Sequence, residues 1–176
     1  MKKFETIEDI AQIEPSCVAL GNFDGVHVGH RQLIGSAVEK AREKGLASAV
    51  FTFSNHPKSL IPGAKPVKNI VALGVDYYFN FAFTKEIMTM PPETFVKTFL
   101  ADKMNAKEIF CGFNYHFGYK GEGDTKLLRI LGAKYGFHVN EVKAVRRRGC
   151  CKFHADTKHD NGRRNGRMLE VSWQEL

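Results

Sequence analysis

The chain has 176 residues, with 26 Lys or Arg against 19 Asp or Glu, and 43% of its residues are hydrophobic. This composition suits one globular domain with a substantial core, and it excludes a disordered polymer, a collagen-like repeat and a small disulfide scaffold. No segment approaches the roughly 20 apolar residues of a membrane span, and the N-terminus lacks an apolar signal core. We therefore expect a cytoplasmic protein without membrane contacts, whose four cysteines are reduced thiols.

Apolar and β-branched runs predict five strands, which in chain order cover residues 17–23, 46–53, 75–83, 107–111 and 137–145. Helical periodicity predicts three helices between them: one that ends at Gly45, one that begins at Pro91, and one that is capped by Asp124 and closed by Gly136. This alternation predicts a Rossmann-like α/β fold, a mostly parallel sheet flanked by helices. Ligands of such folds lie at the carboxyl ends of the strands.

The stretch 21–30 (GNFDGVHVGH) carries the strongest chemical signal in the chain. It places His27 and His30 where a strand meets a helix N-terminus, and Gly25 and Gly29 leave room for a phosphate against the main chain. Backbone N–H groups and two imidazoles would stabilise charge that builds up on a phosphate. A single histidine here would more often be structural, whereas two in this frame favour phosphate chemistry. The stretch is neither a Walker A loop nor a dinucleotide-binding glycine motif.

Residues 20–33, with the His-x-Gly-His run at 27–30, resemble the nucleotidyltransferase superfamily, and in particular the FMN adenylyltransferase domain of the prokaryotic bifunctional riboflavin kinase/FAD synthetases. Two further stretches are similar to the same family, 51–57 (FTFSNHP) and 111–124 (CGFNYHFGYKGEGD). The resemblance implies the HUP-type nucleotidyltransferase fold for residues 1–145. It also implies transfer of AMP from ATP to FMN, which gives FAD and pyrophosphate.

The same resemblance implies roles for individual residues. The catalytic residues would be Asn22, His27 and His30, with both imidazoles on the phosphates of ATP. The other implied contacts are Gly21, Phe23, Asp24, Gly25 and Gly29 on the ATP side, and His56, Pro57, Asn114, Tyr115 and Phe117 on the flavin side. Phe113, Tyr115 and Phe117 offer flat apolar surfaces to the isoalloxazine ring, although aromatic residues of this kind are more often part of a core.

The implied reaction needs no covalent intermediate, because the FMN phosphate is itself the nucleophile. We expect Mg²⁺ to bridge the ATP phosphates, but the sequence assigns no protein ligands to it. The expected partners are the small molecules ATP and FMN, bound by a monomer that does not bind nucleic acid.

The chain departs from the family pattern at three places. Residues 64–75 are shorter than the resemblance leads us to expect, and the family's riboflavin kinase barrel has no counterpart here, so riboflavin phosphorylation is not expected. In the tail, 146–176, the family's Ser-Ser-Thr-Arg-Ile-Arg motif is missing. One choice of codons for residues 152–158 (KFHADTK) encodes this motif when it is read one nucleotide later. We therefore interpret residues from about Arg146 onward as a frameshifted translation.

Other interpretations of the tail and of the function stay open. The tail holds 8 basic and 4 acidic residues, which would allow it to bind nucleic acid, and its cysteines and histidines would allow a zinc site, but neither comes with a recognised motif. A poorly ordered extension is the simpler interpretation. The alternative functions are a nucleotidyltransferase with another phosphate acceptor and a non-catalytic nucleotide-binding remnant.

Overall fold

The computed structural model describes residues 1–10, 13–23, 28–54 and 67–143. Its strands are β1 (Lys2–Phe4), β2 (Ser16–Leu20), β3 (Ala47–Ser54), β4 (Tyr77–Ala82), β5 (Ala106–Gly112) and β6 (His138–Val142). They form one sheet in the order β1-β4-β3-β2-β5-β6, and every pair is parallel. The predicted Rossmann-like α/β fold is confirmed, and β1 is a strand that the sequence patterns did not predict.

The helices are α1 (Val28–Lys44), α2 (Val67–Val71), α3 (Lys85–Met88), α4 (Pro92–Phe95) and α5 (Thr125–Tyr135). A π-helix (Val96–Lys103) continues α4, and a short 3₁₀ turn (Tyr119–Gly121) precedes α5. The predicted ends of α1 and α5 are confirmed, since Gly45 and Gly136 follow them with φ of 63° and 80°. The short helix α2 lies within the segment 64–75 that is expected to be shortened.

The second predicted helix differs in its winding. Its first turn is α-helical, but residues 96–103 have the wider π-helical hydrogen bonding, and the Met104 N–H donates to the Phe99 carbonyl at 3.0 Å. The apolar residues recur every four to five positions, a spacing that suits either helix. The five apolar residues with this spacing are all buried: Phe95, Val96, Phe99, Leu100 and Met104.

Helices cover both faces of the sheet. Alternate residues of a strand point to opposite faces, so one strand can contribute to both apolar clusters. Cys17 and Ala19 of β2 pack in one apolar cluster with α1. Val18 and Leu20 pack in the other, with α4, the π-helix and α5. In the described part of the chain, none of the helices has the length and apolar character needed to cross a membrane.

Candidate active site

The direction of the connections reverses between β2 and β5, and we call the place beyond the carboxyl ends of these two strands the crevice. From β2 the chain continues through α1 to β3 on one side, whereas β5 continues through α5 to β6 on the other side. Leu20 and Cys111 are register partners at the carboxyl ends of these two strands. Ligands of open α/β sheets bind where the direction of the connections reverses in this way. The loops that follow Leu20 and Cys111 are therefore the candidate site, and they carry the first and third motifs.

The loop after β2 is attached to the neighbouring strand. The Gly21 N–H donates to the Phe51 carbonyl at 3.4 Å, and the Phe23 N–H donates to the hydroxyl of Thr52 at 3.3 Å. The ring of Phe23 is 1% exposed and folds back over Gly21, where a Cβ atom would lie 2.9 Å from the ring. Glycine at position 21 is therefore needed for this close approach. Asn22 lies between them and is half-buried.

His30 stands in the first turn of α1, beside the same loop. Its half-buried imidazole lies edge-to-face with Phe23, with 5.1 Å between ring centroids and 81° between ring planes. Gly29 precedes it in the helix. Backbone N–H groups in the first turn of a helix have no carbonyl partner within the helix, so they and this imidazole can donate hydrogen bonds to an anion.

The loop after β5 begins with a tight turn that exposes one aromatic ring. The Tyr115 N–H donates to the Gly112 carbonyl at 3.0 Å, so Phe113 and Asn114 occupy the tip of the turn. Phe113 is 57% exposed. The Oδ1 atom of Asn114 lies 3.2 Å from where a Cβ atom would stand on Gly112, so this amide folds back over the end of the strand.

The two neighbouring aromatic residues of this loop pack inward. Phe117 is 5% exposed and lies against Phe95, with 5.7 Å between ring centroids. Tyr115 stacks on Phe117 with an interplanar angle of 18°, and burial raises the pKa of its phenol far above the ordinary value. Of these three rings, Phe113 is therefore the one that the turn presents to solvent.

Hydrogen bonds hold the rest of the loop in front of α5. Phe117 and Gly123 exchange two backbone hydrogen bonds of 2.9 Å each, and the Asp124 carboxylate accepts the Leu127 N–H at 2.8 Å as the predicted N-cap. His116 donates from Nδ1 to the Gly121 carbonyl at 3.1 Å, which leaves Nε2 as the remaining ring nitrogen. His116 belongs to the third motif, but the resemblance assigns it no individual role.

Five predicted site residues lie outside the described residues. Asp24, Gly25 and His27 belong to the segment 24–27, and His56 and Pro57 belong to 55–66. Their roles stay predictions, as do the interpretations of the tail, since residues 144–176 are also outside. The structure places Gly21, Asn22, Phe23, Gly29 and His30 on the β2 side of the crevice, and Asn114, Tyr115 and Phe117 on the β5 side.

The two cysteines in the described part of the chain are poor nucleophiles. Cys17 and Cys111 are fully buried, and burial is the main influence that raises the pKa of each to about 12. Thiols with such pKa values stay protonated at neutral pH. Within the part of the chain that the structure describes, no three His, Cys, Asp or Glu side chains are placed to hold a metal ion. The described residues on the two sides of the crevice offer hydrogen-bond donors on the β2 side and an exposed aromatic ring, Phe113, on the β5 side.

Known proteins with similar sequences point to one family. The family model described as FAD synthetase matches residues 9–151. A bifunctional riboflavin kinase/FMN adenylyltransferase of Listeria monocytogenes is 37% identical over 139 residues, which are 73% of this chain and 43% of that protein. The enzyme of the same description from Escherichia coli is 30% identical over 155 residues, 81% of this chain and 50% of that one.

A solved structure agrees with the fold. The crystal structure described as a macrolide-efflux protein from Streptococcus pneumoniae superposes on this chain with a TM-score of 0.71 at 28% sequence identity. The match covers 84% of this chain and 51% of that one. The chain thus spans about half the length of the curated relatives that it matches.

Proposed function

Because the chain belongs to the FAD synthetase family, we propose that it transfers the adenylyl group of ATP to FMN and releases pyrophosphate. An oxygen of the FMN phosphate attacks the α-phosphorus, a new P–O–P bond forms, and the bond from the α-phosphorus to the bridging oxygen of the leaving pyrophosphate breaks. The observation that carries the proposal is the position of His30, in the first turn of α1 beside the carboxyl end of β2. An imidazole and the N–H groups of a helix N-terminus at that point suit a triphosphate.

Catalysis by this site would consist of alignment and charge stabilisation. His30, with His27 as its predicted partner, would donate hydrogen bonds to oxygens that gain charge as pyrophosphate leaves. Asn22 follows the carboxyl end of β2, and Gly29 lies at the N-terminus of α1. Both would hold the α-phosphate in line with the attacking oxygen. Mg²⁺ would enter with ATP and neutralise part of the phosphate charge, and the described residues supply no cluster of ligands for it.

The flavin would lie against the loop after β5. Phe113 exposes a flat apolar ring there, and the Asn114 amide supplies a polar group at the same turn. Tyr115 and Phe117 support this turn from beneath through their stacked rings. We also expect the protein to act as a cytoplasmic monomer that does not bind nucleic acid.

The test is an assay of FAD and pyrophosphate with ATP, Mg²⁺ and FMN. We expect wild-type protein to form both products in equal amounts, and His30→Ala to lower kcat about 100-fold, since removal of one donor to a developing oxyanion costs about 10²–10³. His138→Ala is the matched control, because this imidazole lies at the amino end of β6 and its side chain is 71% exposed. Pyrophosphate without FAD would indicate another acceptor, and nucleotide binding without pyrophosphate would indicate a remnant.

The tail requires its own experiment. A variant in which residues from Arg146 onward are restored in the shifted reading frame would regain the hydroxyl and guanidinium groups of the family motif. We expect this variant to bind ATP more tightly and to turn over faster than the unaltered chain, because such groups form strong hydrogen bonds with phosphates. Gene codons that cannot encode the motif in the shifted frame would remove the frameshift hypothesis.

A further inference from the structure

A hydroxyl is buried in β3, next to the strand that carries the site. Thr52 is 3% exposed and lies in a strand segment that is otherwise apolar, from Ala49 to Phe53. A buried polar group is costly unless it is hydrogen-bonded, so its partner is informative. Its oxygen accepts the backbone N–H of Phe23 at 3.3 Å.

This hydrogen bond begins where the regular pairing of β2 with β3 has ended. The last register pair is Leu20 with Phe51, and the Gly21 N–H still reaches the Phe51 carbonyl. Phe23 lies beyond that point, so its buried N–H has no place in the ladder, and the Thr52 hydroxyl takes over as acceptor. The side chain thereby fixes the direction in which the chain leaves β2.

The fixed residue is the one that touches the imidazole. The ring of Phe23 is 1% exposed and packs edge-to-face with His30 at a centroid distance of 5.1 Å. The two residues stand on either side of the segment 24–27. One side chain on β3 is therefore connected, through Phe23, to the orientation of a ring in the first turn of α1.

We propose that Thr52 is a positioning residue that acts through Phe23 to hold the His30 imidazole in the orientation that binds phosphate. This inference rests on the proposed function for the identity of the ligand, but the link between Thr52 and His30 is structural and can be measured without turnover. Thr52 itself does not touch the reacting atoms.

The test uses the full chain and three variants, Thr52→Val, Thr52→Ser and Ser48→Ala. The first removes the acceptor at nearly constant shape, and the second keeps it. The third is the control, because the Ser48 hydroxyl bonds to Asp76 at the start of β3 and is not connected to the site. The readouts are the NMR resonances of the His30 ring, which sense the neighbouring aromatic ring, and the affinity for MgATP by calorimetry.

We expect Thr52→Val to move the His30 resonances and to weaken MgATP binding about tenfold, which is the size of effect expected for one lost hydrogen bond. Thr52→Ser should keep the wild-type His30 resonances and MgATP affinity, and Ser48→Ala should change neither. In a His30→Ala background, Thr52→Val should have no further effect on the affinity. If Thr52→Val does not fold, Thr52→Cys, whose sulfur is a weak acceptor, should show a smaller change in the same direction.

Unchanged His30 resonances in a folded Thr52→Val protein would overturn the inference, and so would weaker binding that persists in the His30→Ala background. If wild-type protein binds no MgATP although Thr52→Val moves the His30 resonances, the proposed function fails while the structural link is supported. The two failures are therefore distinguishable.

Discussion

Among the aromatic residues of the loop after β5, Phe113 is the most exposed. Its ring is 57% exposed, whereas Phe117 of the same loop is 5% exposed. We expect Phe113→Ala to raise KM for FMN about tenfold with little change in KM for ATP, because stacking of an aromatic side chain on a ring is worth about 1–3 kcal/mol. Steady-state kinetics with each substrate varied in turn would measure this.

The matched control is Ile130→Ala on α5. Among the described residues, Ile130 is the most exposed large apolar side chain, at 67%, and it lies outside the crevice-lining loops. Its removal should leave both KM values unchanged. A Phe113→Ala enzyme with the wild-type KM for FMN would show that the flavin lies elsewhere.

At the scale of elements, two glycines are expected to respond to alanine with opposite signs. Gly118 has φ of 75° and ψ of −172°, and a Cβ atom there would lie 2.8 Å from the Pro92 Cα. Gly118→Ala should therefore lower the free energy of unfolding by about 3 kcal/mol, through strain and a backbone clash. Gly35 lies within α1 with open space around its Cα, so Gly35→Ala should raise that energy by about 0.5–1 kcal/mol.

Denaturant unfolding of both variants checks this prediction. The loop around Gly118 is attached to the segment before α4, since the Tyr119 N–H donates to the Met90 carbonyl at 2.8 Å. Loss of the tight approach to Pro92 should therefore also disturb the turn that carries Phe113. Equal stability of the two variants would contradict the close packing at Gly118.

At the scale of the whole molecule, a buried carboxylate joins three elements at the end of the sheet away from the crevice. Glu108 of β5 is 4% exposed; it forms an ion pair with Lys44 of α1 and accepts the Asn140 amide of β6 at 2.7 Å. Burial is the largest influence and raises the pKa of Glu108, but the hydrogen bonds from Lys44 and Asn140, together with the charges of Lys44 and His138, outweigh it. The pKa therefore lies below its ordinary value of 4.5.

The sign of the pH dependence follows from this direction. A carboxyl whose pKa is lower in the folded state contributes stability that is fully present above about pH 4.5, its unfolded value, and is lost as the pH falls through the folded value. We expect the melting temperature of the wild-type protein to decrease as the pH is lowered below about 4.5. Glu108→Gln should melt at a lower temperature than wild type at pH 7, and its melting temperature should depend less on pH in the acid range. Thermal melts from pH 7 to pH 3 measure both.

Asp76 is the matched carboxylate for this experiment. Its Oδ2 accepts the Ser48 N–H at 2.9 Å and the Ser48 hydroxyl at 2.7 Å. Burial is the largest influence and raises the pKa of Asp76, but these bonds, together with the charges of the N-terminus and Arg42, outweigh it and lower the pKa. Asp76→Asn should also make the melting temperature depend less on pH in the acid range, because the same linkage between pKa and stability applies. If neither variant changes the acid slope, these two carboxylates do not control acid unfolding.

The sequence by itself determined the fold class and the identity of the family, because both depend on local patterns. Helical periodicity predicted α1 and its end at Gly45, and the caps at Asp124 and Gly136 are local hydrogen-bonding and conformational signals. The three motifs resemble one family, and the match of the family model to residues 9–151 confirmed it.

Only the tertiary structure decided which motif residues face solvent and which support them. Three aromatic residues in one loop are equivalent by type, but the turn at Gly112 exposes Phe113 while packing on Phe95 buries Phe117. The role of Thr52 also depends on contact between residues far apart in the chain, since its partner Phe23 follows another strand. Periodicity and spacing describe neighbours along the chain, whereas burial and hydrogen bonding of this kind arise only when separate strands pack side by side.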